Sequence, residues 1–435
     1  MPLPLVAIIG RPNVGKSTMF NRILGDRLAI TEDIPGVTRD RIYGLAEWSG
    51  REFNLIDTGG FIPSSVDVIE TMVREQAEVA IEEADLILFV VDAKVGPTDL
   101  DIEIARLLLK RKRPVLLIAN KTDNENIAAE KYEFMKLGLG EPICVSSTNG
   151  LNYGDFLDDV IARLPQREPE PETDALKVAI LGRPNVGKSS MVNFLAGKAR
   201  QIVTDIPGTT RDAIDLKIKT NGKEYVLIDT AGLRRKSRIK ENLEFFMSLR
   251  TVKALERADV SALLIEGHTG LVKQDIQIIE EIARFRKPMI ICVNKWDLVE
   301  KDDNTAARFK AEFKQKLPTL SYMPLMFMSA VGGKRVKTVF ERLEYVYAEF
   351  TKRIQTSVLN EFLVEAFNKR HPAAVRGKYI KLFYMTQAET APPRFIIFSN
   401  YPKFLKEEYK RYLENRLRDK FGFEGVPLTI NFKKR

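Results

Sequence analysis

GRPNVGKS, residues Gly10 to Ser17, returns letter for letter as Gly182 to Ser189, so whatever chemistry this stretch performs is built into the chain twice. Each copy follows a short apolar run, Leu5 to Ile9 or Val178 to Leu181, and precedes an amphipathic one. The order is strand, glycine-rich turn, helix, which is the setting a phosphate-binding loop requires. Glycine lets the backbone of Gly10 to Gly15 (around Val14) and of Gly182 to Gly187 (around Val186) curl until its N–H groups point at phosphate oxygens. Lys16 and Lys188 would reach the β- and γ-phosphates, and Ser17 and Ser189 would offer a hydroxyl to magnesium. Thr18 and Ser190, next in line, complete the expected phosphate contacts. One such octet arises by chance in a long chain, but two identical copies in the same setting do not.

Around the first octet, from Leu5 to Leu164, continuous apolar runs such as Leu86 to Val91 and Val115 to Ala119 read as parallel strands covered on both faces. Periodic segments at Asp67 to Ile81 and Asp99 to Leu109 read as the covering helices. The prediction is an open, doubly wound α/β sheet. IPGVTRD (Ile34 to Asp40), DTGG (Asp57 to Gly60), NKTD (Asn120 to Asp123) and SSTNG (Ser146 to Gly150) all fall at carboxyl ends of strands, where such sheets bind ligands. A Pro- and Glu-rich tether follows at 165–176. Then the unit replays: Gly10 maps to Gly182, Thr38 to Thr210, Asp57 to Asp229 and Asn120 to Asn294. An offset of 172 for the first three pairs and 174 for the last, held over that distance, means a duplicated domain, expected over 177–354. From 355 to 435 a helical stretch (Val358 to Lys369), two strands (Tyr379 to Met385 and Arg394 to Ser399), a long helix (Pro402 to Phe421) and a last strand (Pro427 to Phe432) give the order α-β-β-α-β, which predicts a small α+β domain. Its GxxG spacing, Gly422 to Gly425, lies between a helix and a strand and contains Glu424, which would repel phosphate. A helix-ending Gly422 is the better reading.

The NKxD runs choose the base. Asp123 and Asp297 can each accept from the ring N–H and the exocyclic amino group of guanine, two donors that adenine does not present on that edge. A base that leaves a buried carboxylate unpaired is rejected strongly. Asn120 and Asn294 would bond the other base edge, with Lys121 and Lys295 along the ring face. Asp57 and Asp229 would hold magnesium through water, the Gly60 and Gly232 amides would meet the γ-phosphate, and Thr38 and Thr210 would close over the metal. Lys16, Thr38, Asp57, Lys188, Thr210 and Asp229 are thus the catalytic candidates for GTP hydrolysis to GDP. Contacts to the γ-phosphate last only while it does. Driving a segment from 1:99 to 99:1 takes about 5.5 kcal/mol, and two or three charge-assisted hydrogen bonds at about 1.5 to 3 kcal/mol each suffice. Phe61 and Leu233 follow the DxxG runs where many signalling GTPases carry a water-orienting Gln, so unaided hydrolysis should be slow. Asn13 and Asn185 offer a carbonyl to a monovalent cation, or simply stabilise the turn.

The 435 residues, 44% of them hydrophobic, predict two to four soluble domains. The apolar start lacks a basic leader segment and no run approaches a membrane span. Cys144 and Cys292 lie in apolar runs and read as reduced core thiols of a cytoplasmic protein. His268 and His371 have no ligand-spaced neighbours. Net charge is +9, but unevenly: −8 over 1–164, −3 over 165–176, +12 over 177–354 and +8 over 355–435. Such a chain presents one end to a polyanion, unless its acidic and basic parts attract each other. Arg234, Arg235, Lys236, Arg238 and Lys240 follow the DxxG run only in the second copy, as a solvated face or an RNA-facing one.

Two repeats with GRPNVGKS, IPGxTRD, DTGG or DTAGLRRKSR and NKxD, and a tail carrying VRG, KLFYMTQ, APPRF and Tyr409 to Arg418, closely resemble the Der (EngA) family of bacterial tandem GTPases. The resemblance spans essentially the whole chain. It implies a KH-like third domain, action in assembly of the large (50S) ribosomal subunit, and that subunit and its rRNA as partners. It also implies potassium-stimulated hydrolysis with Asn13 and Asn185 as potassium ligands, beside Mg2+ and GTP or GDP. A cytoplasmic monomer is expected, with no membrane or DNA partner. In the guanine-contacting SA motif, Ser146 is followed by Ser147 but Ser329 by Ala330; the backbone amide makes that contact, so the exchange should matter little. Glu266 replaces the Asp usual at the strand end where the first copy has Asp92.

Overall fold

A computed structural model describes residues 3–25, 43–57, 78, 81, 84–111, 113–123, 130–165, 174–198, 215–220, 222–228, 251–374 and 379–435. Thr38, Gly60, Phe61, Thr210, Asp229, Gly232, Leu233, the basic run 234–240, residues 166–173 of the linker and most of the helix expected over 67–81 lie outside them. The described residues fall into two compact units, one ending at Pro165 and the other running from Asp174 to Arg435.

The first unit is built on six strands: β1 (Leu5–Ile9), β2 (Tyr43–Trp48), β3 (Arg51–Asp57), β4 (Leu86–Asp92), β5 (Val115–Asn120) and β6 (Ile143–Cys144), ordered β2-β3-β1-β4-β5-β6. All neighbours run parallel except the β2–β3 hairpin. That hairpin turns through Ser49 and Gly50, both at positive φ (49° and 76°), as a two-residue loop matched to strand twist requires. The continuous apolar runs resolve into two alternating faces. Val6, Ile8, Leu88, Val90 and Ile118 face helices α1 (Lys16–Leu24) and α3 (Tyr153–Arg163), while Ala7, Ile9, Phe89, Val91 and Leu117 face α2 (Asp99–Arg111). Residues inward on both sides leave no polar position, which is why periodicity was hidden in the sequence.

The second unit repeats this with β7 (Leu176–Leu181), α4 (Lys188–Lys198), β8 (Leu216–Thr220), β9 (Lys223–Ile228), β10 (Val260–Glu266), α5 (Lys273–Arg284), β11 (Met289–Asn294), α6 (Thr305–Lys316), β12 (Leu325–Phe327) and α7 (Val336–Thr351), ordered β12-β11-β10-β7-β9-β8. It continues into α8 (Thr356–Lys369), β13 (Leu382–Thr390), β14 (Pro393–Ser399), α9 (Glu407–Phe421) and β15 (Thr429–Lys434), with a three-stranded sheet ordered β13-β14-β15. This is the expected α-β-β-α-β order, although a short 3-10 turn at Pro402–Phe404 precedes the long helix. β13 starts three residues later than the apolar run at Tyr379 predicts. Gly422 caps α9 at φ 89°. One core cluster runs without interruption from Ile180 and Cys292 through Phe340, Val346 and Phe350 to Phe362, Phe395 and Phe423. Beyond Gly422 the turn is pinned to the larger sheet: the Met289 N–H donates to the Gly425 carbonyl at 2.9 Å, and the Gly425 N–H to the Tyr322 carbonyl at 2.9 Å. Gly425 sits at φ 73°, and a Cβ there would lie 2.8 Å from the Met289 oxygen. This GxxG segment is therefore packed against protein. Among the described residues no helix is long and apolar enough to cross a membrane.

Candidate functional site

Gly10 ends β1 at φ 152° and Gly15 opens α1 at φ 94°. Side chains would not fit there: a Cβ on Gly10 would collide with the Val90 carbonyl, and one on Gly15 with the Asn120 amide. Gly182 and Gly187 meet Leu264 and Asn294 in the same way. The loop thus folds tightly over the ends of β4 and β10, and the next residue, Lys16 or Lys188, points back into its hollow. Lys16 Nζ donates to the carbonyls of Gly10 and Arg11, both at 2.8 Å, and Lys188 Nζ to those of Gly182 (2.5 Å) and Arg183 (2.8 Å). Burial lowers both ammonium groups to about 8; for Lys16 the Asp57 carboxylate works against that shift. A buried cation among carbonyl dipoles is a site for a phosphate anion. Beside it Ser17 Oγ donates to Asp57 Oδ2 at 2.7 Å, bringing together two hard oxygen donors suited to magnesium.

Asn120 and Asn294 join the phosphate loop to the base loop. Asn120 Nδ2 donates to the Val14 carbonyl at 2.8 Å, while its Oδ1 accepts from the Ser147 N–H at 3.0 Å and from Ser147 Oγ at 2.8 Å. Asn294 does the same with Val186 (2.7 Å) and the Ala330 N–H (2.8 Å). Ser147 and Ala330 thus supply the same backbone donor. Lys121 and Lys295 take left-handed conformations, φ 67° and 55°. Lys121 Nζ donates to the Asn13 carbonyl at 2.7 Å and to Asp92 at 2.6 Å. Asp123 accepts from Lys94 at 2.6 Å and Ser146 Oγ at 2.8 Å, and these bonds, Lys94 first, lower its pKa. Asp297 is lowered chiefly by its bond from Ser329. Asn13 and Asn185 are exposed at φ 65° and 64°; Thr18 and Ser190 sit in the first turns of α1 and α4.

Three features were not read from the sequence. Arg11 and Arg183, inside the octets, reach the buried carboxylates Asp101 (3.3 Å) and Asp275 (3.4 Å) and so fasten the loops to α2 and α5, the helices that follow β4 and β10. Arg22 of α1 donates to the carbonyls of Ser147 and Thr148 and lies over the Tyr153 ring, clamping the base loop. At the repeat-equivalent position the Phe194 ring lies against Gly333 instead. Glu266, longer by one methylene than Asp92, bonds Lys295 and also Arg183 (2.7 Å), so in the second copy the carboxylate itself ties the base loop to the phosphate loop, a link that Lys121 makes in the first by bonding both Asp92 and the Asn13 carbonyl. Periodicity carries no sign of these partners, because each joins residues far apart in the chain.

Residues 5–121 and 177–295 match the family described as 50S ribosome-binding GTPase, and 353–433 match the KH-domain-like C-terminal domain of EngA bacterial GTPases. The chain is 52% identical to GTPase Der of Caldanaerobacter subterraneus subsp. tengcongensis, covering 100% of this chain and 99% of that protein. It is 48% identical to GTPase Der of Clostridium acetobutylicum, covering 100% of both. Among solved structures, a crystal structure of Era from Aquifex aeolicus is similar at TM-score 0.31 and 22% identity, covering 60% of this chain and 93% of that one.

Proposed function

The chain belongs to the GTPase Der family, and from that membership we infer that its two nucleotide sites form a switch acting in assembly of the large ribosomal subunit. It binds guanine nucleotide and hydrolyses GTP to GDP and phosphate. The observation that supports the two nucleotide sites of this reading is the asparagine link: Asn120 and Asn294 each bond a phosphate loop and a base loop at once, so base and phosphates are read by one connected frame.

Within that frame Lys16 and Lys188 draw in the β- and γ-phosphates, and Asp123 and Asp297 read guanine. Ser17 and Asp57 in one site, and Ser189 with Asp229 in the other, are the residues that would hold magnesium, the latter of each pair through water. When bound, the ion neutralises charge on the phosphate oxygens. Thr38 and Thr210 are assigned to close over the metal and the Gly60 and Gly232 amides to meet the γ-phosphate, contacts that are lost on hydrolysis. Phe61 and Leu233 cannot orient water, so turnover waits on added charge. Potassium at Asn13 and Asn185, exposed and left-handed in both loops, is the proposed source.

The reading takes 1–164 and 177–354 as the GTPase domains and 355–435 as the KH-like domain of a cytoplasmic monomer. The +12 and +8 charges of the last two would face the rRNA of the 50S subunit. Cosedimentation with 50S particles tests it. Binding should differ severalfold between GDP and a non-hydrolysable GTP analogue, and identical binding in both would end the proposal.

A further inference from the structure

The carboxylates that read guanine are held differently in the two repeats. After β4 the chain turns through Asp92, Ala93, Lys94, Val95 and Gly96. Asp92 Oδ1 accepts from the Lys94 N–H at 3.0 Å, the Val95 and Gly96 N–H groups bond the Asp92 carbonyl at 3.3 Å, and Gly96 takes φ 78°. Held by its backbone, Lys94 extends to the base loop and places Nζ 2.6 Å from Asp123 Oδ2, while Ser146 Oγ occupies Oδ1 at 2.8 Å. The turn after β10 runs Glu266, Gly267, His268, Thr269, Gly270, so His268 stands where Lys94 does. Asp297 accepts from Ser329, and Lys301 and Lys334 act on it through space.

We propose that Lys94 is a specificity-determining residue of the first nucleotide site: by pairing with Asp123 in advance, it makes that site discriminate less sharply than the second between guanine and hypoxanthine nucleotides. The proposal rests on Asp123 reading guanine. Hypoxanthine lacks the exocyclic amino group, and what penalises such a ligand is the carboxylate lone pair left unmet. At Asp297 that lone pair loses its donor. At Asp123 the Lys94 ammonium already meets it and stays when the amino group is missing. Guanine, in turn, must share Oδ2 with Lys94 or displace it, and gains less. The Lys94 side chain is 49% exposed, so its pair with Asp123 is of the solvent-screened kind that shifts an equilibrium by about two- to fivefold.

The test uses the full-length chain with one site disabled at a time, Lys188→Ala to read the first and Lys16→Ala to read the second, and displacement of a fluorescent GDP by GDP or by inosine diphosphate. The ratio of the two dissociation constants should be about two- to fivefold smaller at the first site. Lys94→Met should raise that ratio to the second site's value, Lys94→Arg should leave it unchanged, and His268→Lys should lower it at the second site. Equal ratios at the two sites, or a first-site ratio unmoved by Lys94→Met, overturn the proposal. Asp123→Asn tests the underlying reading separately: it should exchange guanine for xanthine preference at the first site, and if it does not, Asp123 is not the base reader.

Discussion

Lys16 and Lys188 carry their charge at a cost, because burial lowers each from an ordinary lysine value to about 8. Below that value the folded chain holds an ammonium in a poor environment. Between about 8 and the ordinary value the native state releases a proton that the unfolded state keeps, so this group's contribution to stability rises with pH across that window. Nucleotide binding runs the other way, since the phosphates need the ammonium. From about pH 7.5 to 8.8 the affinity of each site should fall about fivefold, the loss of protonated fraction expected for one group titrating near 8. Calorimetry across that range, with Lys16→Met as a control whose first site is weak and flat in pH, would check it. A rise in affinity with pH would contradict the assignment of these lysines. The residues themselves were legible because a glycine-framed lysine at fixed spacing has one common use. Arg11 and Arg183 sit in the same octets, yet their partners Asp101 and Asp275 lie about ninety residues away, and a motif does not encode a distant carboxylate. The same holds for Glu266: its carboxylate is lowered although burial opposes this, because the Lys295 bond and the Arg183 charge outweigh it.

Among the elements, the strands were the most legible part of the chain, because parallel strands covered on both faces tolerate little but Val, Ile, Leu, Phe and Ala. β4 falls where the apolar run Leu86 to Val91 puts it, and both β4 and its repeat counterpart β10 are buried at all seven positions. Edges and loops were less so. β6 has two residues and leaves Cys144 only partly buried, and the helix expected from Pro402 begins at Glu407 after a separate turn. The loop after β6 depends on packing that propensity does not describe. The two repeats hold this loop by different chemistry, since Arg22 of α1 bonds the Ser147 and Thr148 carbonyls while Phe194 of α4 packs on Gly333. A Cβ on Gly150 would collide with Arg22 just as one on Gly333 would with Phe194, so both helices press the base loop at its glycine. Arg22→Ala should loosen the loop that carries Ser146 and the Ser147 amide and weaken GDP at the first site about tenfold, the scale of one charge-assisted hydrogen bond. Equilibrium displacement of labelled GDP from each site reports it. The second site should be unaffected, and Arg22→Lys should recover part of the loss.

At the scale of the molecule, sequence arithmetic divides the second half at residue 354, yet the core does not stop there. α7 ends at Thr351 and α8 begins at Thr356, and both belong to one apolar cluster with β14 and α9. Val346, Phe350 and Ile354 are buried from the GTPase side, and Leu359, Phe362, Phe395 and Phe423 from the other. Polar links cross at the same place: Glu349 accepts from the Phe423 N–H, and Arg286 donates to Thr429 Oγ1 at 2.6 Å. Cutting after residue 354 would return Val346, Phe350 and Ile354 to water at roughly 1.5 to 3 kcal/mol each. It would also leave the Glu349 carboxylate without its amide and the Met289 N–H without the Gly425 carbonyl. Against the total stability of about 5 to 15 kcal/mol typical of a domain, that loss is decisive. A fragment of residues 172–354 should therefore be poorly soluble or melt far below the fragment 172–435, whereas residues 1–165, which contain all the described members of two core clusters of their own, should fold alone. Circular-dichroism melts of the three fragments separate these outcomes. Equal melting temperatures for 172–354 and 172–435 would mean that the shared cluster is contact without cooperativity.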